Sequence, residues 1–232
     1  MKRISRFWVF IILSMLLSAC EKSGVEFNFT EPIENEPIGE VFDPIDYDLL
    51  DAFGEDHIHF GPVPPSLDGI SFELQGLDIL YYKKLIDNNG NIIEHTGNSG
   101  YDGSTNYHHF FTDNTSSYTK HRFQTKDPNA NIYTRENDIV YVIGHDNSFT
   151  AYYIEQVTDE GSGNPTNAII ISGTLVYDHN NQFLGVKDYR IGKKILDYEY
   201  PPMQAYAKGS IFIMQQHNPL APASDWDHSI NE

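Results

Sequence analysis

From about Ser66 to Gln216 the apolar residues come in short runs rich in Ile, Val, Tyr, Phe and Thr, broken by Gly, Asn and Asp. That pattern belongs to antiparallel strands joined by tight turns. It predicts strands near 70–75, 77–86, 91–96, 107–112, 117–125, 138–144, 148–157, 167–177, 183–191, 194–200 and 205–215. Within the run at 167–177, Ile169, Ile171, Gly173, Leu175 and Tyr177 share one face while Ile170, Ser172, Thr174 and Val176 share the other. Both faces are substantially apolar. In the last run, Ala205, Ala207 and Gly209 lead into Ile211 and Ile213, a row of small residues that permits close approach of another element.

Three joints are explicit. Asp87-Asn88-Asn89-Gly90-Asn91, His145-Asp146-Asn147 and Asp178-His179-Asn180-Asn181 each separate two apolar runs, and Asn, Asp and Gly accept turn conformations cheaply. They predict hairpins between sequence neighbours, hence a meander. Asp159 to Pro165 reads as a longer exposed loop. Ahead of the strands, Asp43 is a suitable N-cap, Pro44 fits the first helical position and Gly54 closes the end. Ile45, Leu49 and Phe53 recur every four residues, which gives a short helix one apolar stripe to dock on the body that follows. About 150 residues in this many strands must bury a sheet face and protect two edges. The fold class is therefore all-β: an antiparallel meander closing as a barrel, with a β-sandwich as the alternative because it needs longer crossing connections.

The chain opens differently. Lys2, Arg3 and Arg6 precede an apolar run from Phe7 to Leu17 that ends in Leu17-Ser18-Ala19-Cys20. These are the charged, hydrophobic and small-residue regions of a secretory signal peptide, and the run is shorter than the roughly 20 residues a spanning helix needs. Leu-Ser-Ala-Cys resembles the lipobox of bacterial lipoproteins. That resemblance implies a signal peptide over 1–19, acylation of Cys20, for example with palmitate, and export to the cell envelope, the outer membrane in first place. Cys20 is the only cysteine in the 232 residues. Two or more acyl chains hold a domain on a membrane essentially permanently, at about 0.8 kcal/mol per buried methylene.

Charge narrows the partners. Removing residues 1–19 takes away three of the 15 Lys+Arg and none of the 33 Asp+Glu, which leaves a formal charge of −21. Nucleic acid is excluded as a partner, because affinity for phosphate backbones comes from Lys and Arg. Residues 20–42, with Pro32 and Pro37 among acids, read as a flexible tether. The organisation expected is signal 1–19, tether 20–42, helix and connector 43–65, β-domain 66–216 and C-terminal tail 217–232.

Asn167-Ala168-Ile169-Ile170-Ile171-Ser172-Gly173-Thr174-Leu175, a hairpin and then Tyr189-Arg190-Ile191 resemble the closing strands of lipocalin-like lipoproteins of Bacteroidetes-type bacteria. Leu67-Asp68-Gly69-Ile70-Ser71-Phe72 resembles their first strand. The usual Gly-X-Trp is missing its tryptophan, since the only Trp after the signal is Trp226. The resemblance spans 66–216 and implies an eight-stranded cup around a cavity.

Reaction chemistry has no motif here. There is no Gly-X-Ser-X-Gly, no phosphate-cradling glycine loop and no thiol left after acylation. Asp87 to Asn91 begins like a calcium loop, but Thr96 stands where the glutamate is required. His57-Ile58-His59 puts two imidazoles on one face of an extended segment without evident further ligands, so loop histidines explain it better than a metal. His108 and His109 point to opposite faces of a strand. Tyr152, Tyr153, Tyr189, Tyr198, Tyr200 and Tyr206 lie in predicted strands, where rings pack or line a cavity. The expectation is a non-enzymatic, lipid-anchored module without a cofactor or metal, holding a small apolar or amphipathic ligand. An adhesive envelope protein is the rival, and a glycan hydrolase stands last.

Overall fold

The structure, a computed structural model, describes residues 47–61, 63–86, 92–98, 100–112, 119–126, 132–157, 164–198 and 206–224. The signal segment with Cys20, the tether, the Asp43–Ile45 helix start, the Asp87–Asn91 turn, Tyr200 and Trp226 lie outside the described residues. A helix α1 (Tyr47–Phe53) and a 3-10 turn (Glu55–His57) come first. The strands are β1 (Ile70–Ile86), β2 (Ile92–Gly97), β3 (Tyr101–Phe111), β4 (Thr119–Lys126), β5 (Ile132–His145), β6 (Ser148–Gln156), β7 (Pro165–Tyr177), β8 (Phe183–Tyr198), β9 (Tyr206–Gln216) and β10 (Ala221–Pro222).

All pairs are antiparallel, and from β3 to β9 each strand pairs with its successor, as the meander reading requires. β1 pairs with β3 along one edge and with β9 along the other, so eight strands close into a ring. β2 continues along the β3 edge of β1. β10 continues the seam left by β9: Ala221 pairs with Val186 of β8, and Ala223 bridges to Phe72 of β1. The sheet thus runs past 216, into residues read from sequence as tail. The ring is not evenly barrel-shaped. Register shifts interrupt β1 in its pairings with β3 and β9, and each such bulge bends and twists its strand locally.

Several boundaries differ from the sequence reading for local reasons. The runs at 70–75 and 77–86 are one strand with a bulge at Gly76, whose φ of 80° suits glycine and whose missing side chain leaves room for the Tyr101 ring. The runs at 183–191 and 194–200 are likewise one strand through Gly192. β3 and β5 begin earlier than their apolar residues suggest, because they carry Asn106, Arg135 and Asn137 on the face turned into the ring. His57 closes a 3-10 turn instead of lying in an extended segment.

The two described turns form as expected. Asp146 has φ of 53° in the two-residue link between paired His145 and Ser148. Asp178 Oδ1 accepts from the backbone N–H of Asn180 at 2.9 Å and of Gln182 at 2.7 Å, while Asn181 takes φ of 62°.

Inside the ring, the half nearest these two hairpins is packed solid. Phe72, Phe110 and Phe149 are fully buried there, with Ile70, Leu74, Leu175, Val186 and Ala221 around them. Each such side chain contributes roughly 1.5–3 kcal/mol relative to exposure. On the outside, α1 lies against β8 and β9. Leu49 and Phe53 of the expected stripe are buried, and Phe53 sits over Gly192, where any Cβ would crowd Phe53, Ile170 and Ile213. A close approach thus falls at Gly192, and Ala207 of the small-residue row is buried on β9. The Arg190 guanidinium stacks 5.4 Å from the Phe53 ring centroid, and Lys194 Nζ donates to Asp48 at 3.1 Å.

Candidate functional site

Alternation along paired strands puts a belt of polar side chains across the ring interior, beyond the packed half. Cα partners share a face. The inward pairs are Phe110 with His121, His108 with Phe123, His121 with Asn137, Phe123 with Arg135, Glu155 with Asn167, and Ile169 with Lys193. The belt crosses six strands in succession, β3 to β8.

Its first part is a hydrogen-bonded chain. Tyr189 Oη lies 3.3 Å from His108 Nε2, and His108 Nδ1 lies 3.0 Å from His121 Nε2. His108 and His121 are about 1% and 0% exposed, and Phe72, Phe110, Phe123 and Tyr153 ring them closely. Burial disfavours the imidazolium, and neighbouring imidazoles add to the effect. His121 is held at about 3, and His108 well below its ordinary value. Both rings are therefore neutral at pH 7. Burial also pushes the Tyr153 and Tyr189 phenols up.

Neutral imidazoles let the chain run in either direction, and the need of the Tyr189 hydroxyl for an acceptor selects one. A buried Tyr189 hydroxyl needs an acceptor, so it donates to His108 Nε2, and His108 Nδ1–H then donates to His121 Nε2. His121 Nδ1 is left carrying a proton with no acceptor. Across the β4/β5 pair, Asn137 Nδ2 is a second buried donor without a partner. Two orphaned donors on directly opposed residues each carry the desolvation penalty of an unmade bond, about 1–3 kcal/mol.

The second part is charged. Glu155, with 5% of its side chain exposed, accepts from Asn167 Nδ2 at 3.0 Å and faces Arg135 Nη1 at 3.5 Å. Lys193 belongs to the same group: burial lowers its ammonium from the ordinary value, the Glu155 carboxylate raises it and Arg135 lowers it. Two cations share one carboxylate. Further inward-facing side chains at this level keep accessible surface, among them Ile79, Phe123, Phe212 and Met214. Phe72 and Phe149 of the packed half have none.

The residues singled out from sequence fall in different places. His108 and His109 do face opposite ways: His108 joins the belt, and His109 Nδ1 meets Ser71 Oγ at 2.7 Å on the outside. His57 and His59 lie outside the ring. The His59 backbone N–H donates to Thr150 Oγ1 at 2.8 Å, its ring meets that of His145 edge-on, and burial lowers the His57 and His59 imidazoles. No three His, Cys, Asp or Glu side chains converge among the described residues. Tyr153 and Tyr189 face the belt; Tyr152 is paired with Tyr141 on the opposite face. His121, Arg135, Asn137, Glu155, Asn167 and Lys193 were not singled out. Alternation held the clue, since Glu155 shares a face with Phe149 and Ala151, and Lys193 with Ile191. Comparison with protein-family models, with curated proteins and with solved structures finds no match.

Proposed function

We propose that the protein is a lipid-anchored envelope module, acylated at Cys20 and exported to the outer membrane, whose ring of strands holds a small apolar or amphipathic ligand in the manner of a lipocalin-like cup. The observation that carries the reading is the division of the interior. One half is filled by aromatic and aliphatic side chains, whereas the other has apolar inward side chains with accessible surface beside a polar belt. A ligand site of this kind combines an apolar wall with a few convergent polar groups. A closed eight-stranded antiparallel ring is also the plan of such cups.

Tethering agrees with the outer face. Glu73, Arg122, Glu136 and Lys194 lie on outward strand positions, where a membrane-spanning barrel carries its apolar band. The protein is held at the bilayer by its acyl chains and carries no catalytic role.

Native mass spectrometry of the purified protein tests the ligand reading. A co-purifying adduct that is released on unfolding supports it, and a bare polypeptide that also refuses apolar probes refutes it. Labelled palmitate tests the anchor: incorporation must occur in the wild type and vanish in Cys20→Ser.

A further inference from the structure

We infer that the ligand is an anionic amphiphile, whose head-group oxygens accept from His121 Nδ1 and Asn137 Nδ2 and are neutralised by Arg135 and Lys193. The inference rests on the ligand-binding reading above and specifies its chemistry. Three independent observations point the same way. First, His121 Nδ1, once the Tyr189–His108–His121 chain is oriented, and Asn137 Nδ2 are unpaired donors, so what is missing between β4 and β5 is an acceptor, while the unpaired acceptor Asn167 Oδ1 lies farther along the belt on β7. Second, Arg135 precedes Asn137 by two residues on the same face of β5, about 7 Å along the strand, which is within reach of one carboxylate or sulfonate. Third, Arg135, Glu155 and Lys193 together carry one net positive charge in a chain of formal charge −18. Arg135 and Lys193 are partly exposed, so the surplus cation is partly desolvated and a counter-charge beside it is favourable.

Glu155 orients Arg135 and holds Asn167, but its single charge leaves the second cation uncompensated. The apolar body of the ligand then lies along Ile79, Phe123, Phe212 and Met214, whose accessible surface it covers. A neutral head with a carbonyl or hydroxyl oxygen would satisfy the donors but leave the charge surplus in place, and a cationic head would add to it. A water between them would satisfy the donors and leave the charge surplus in place.

The experiment uses the full chain carrying Cys20→Ser and freed of detergent, so that no acyl chain competes. The probes are anilinonaphthalene sulfonate and phenylnaphthylamine, which share one aromatic body and differ in the sulfonate. The expected result is one site with the sulfonate bound at least about tenfold more tightly, since charge-assisted hydrogen bonds exceed neutral ones. The protein's overall negative charge works against adventitious binding of the sulfonate. Lys193→Met should remove most of that preference without weakening the neutral probe. Glu155→Gln should increase the preference, a gain that damage to the fold cannot produce. Equal binding of the two probes, or a preference untouched by both substitutions, overturns the anionic head and leaves the ligand-binding reading standing. Binding of neither probe overturns both.

Discussion

Acid should unfold this protein through two histidines. His121 is held at about 3 in the folded state by complete burial, against an ordinary value of 6.5, and His108 is depressed by the same cause. A base whose folded value is depressed releases protons on folding. Its contribution is therefore intact above pH 6.5 and is lost as pH falls from 6.5 toward 3. At pH 7.5 the penalty for keeping His121 neutral is negligible. At pH 5 it is about 2 kcal/mol, and it grows by about 1.4 kcal/mol per further pH unit until the folded value is reached. His108 adds in the same direction. Urea unfolding at pH 7.5, 6 and 5 reads this directly: with a slope of roughly 2 kcal/mol/M, the midpoint should fall by about 1 M or more for the pair. Carboxylates, the exposed His57 and the partly buried His59 titrate too, so the control is the double variant His108→Phe/His121→Phe, which keeps aromatic volume among Phe72, Phe110 and Phe123. Its midpoint should fall by at least about 1 M less over the same range. Parallel pH profiles for wild type and double variant would falsify the assignment of these rings as buried and neutral.

Other perturbations test separate parts of the structure. Arg135→Met removes a partly exposed partner of Glu155 and leaves Lys193 as its counter-charge, so it should lower stability by no more than about 1 kcal/mol in urea unfolding; a loss of about 3 kcal/mol or more would mean that Glu155 depends on Arg135 alone. Phe53→Ala empties the contact over Gly192 and should cost about 3–5 kcal/mol, with hydrogen exchange of residues 47–58 rising well above that of β7. Gly185→Ala puts a Cβ against the Ala221 carbonyl at φ of 148°, so residues 221–224 should lose exchange protection while the β5–β6 hairpin keeps it. Asp178→Ala removes the acceptor for two backbone donors in the β7–β8 turn and should lower the unfolding free energy by about 1 kcal/mol, with unchanged stability counting against the turn geometry.

The all-β class, the succession of antiparallel neighbours and the turns at 146–147 and 178–182 were readable because each depends on local pattern: period-two alternation and residues that accept positive φ. The apolar stripe of α1 was readable for the same reason. Glycine misled twice. Gly76 and Gly192 look like breaks, yet one is a bulge inside β1 and the other a flat spot beneath Phe53, and only the packed partner distinguishes a bulge or a contact from a turn.

The belt was hidden by the same logic. A sequence reading seeks apolar runs, so strand segments whose inward positions hold Asn106, Arg135 and Asn137 looked like loops, and β3 and β5 were started late. One strand specifies which of its residues share a face, but not which strand lies on the other side of the ring. That β1 meets β9, that β10 completes the seam, and that His108, His121 and Tyr189 join across 81 residues of chain are consequences of closure. Local sequence sets the period of each strand through backbone sterics; long-range burial selects the register that brings those faces together, and with it the acidity of every group they enclose.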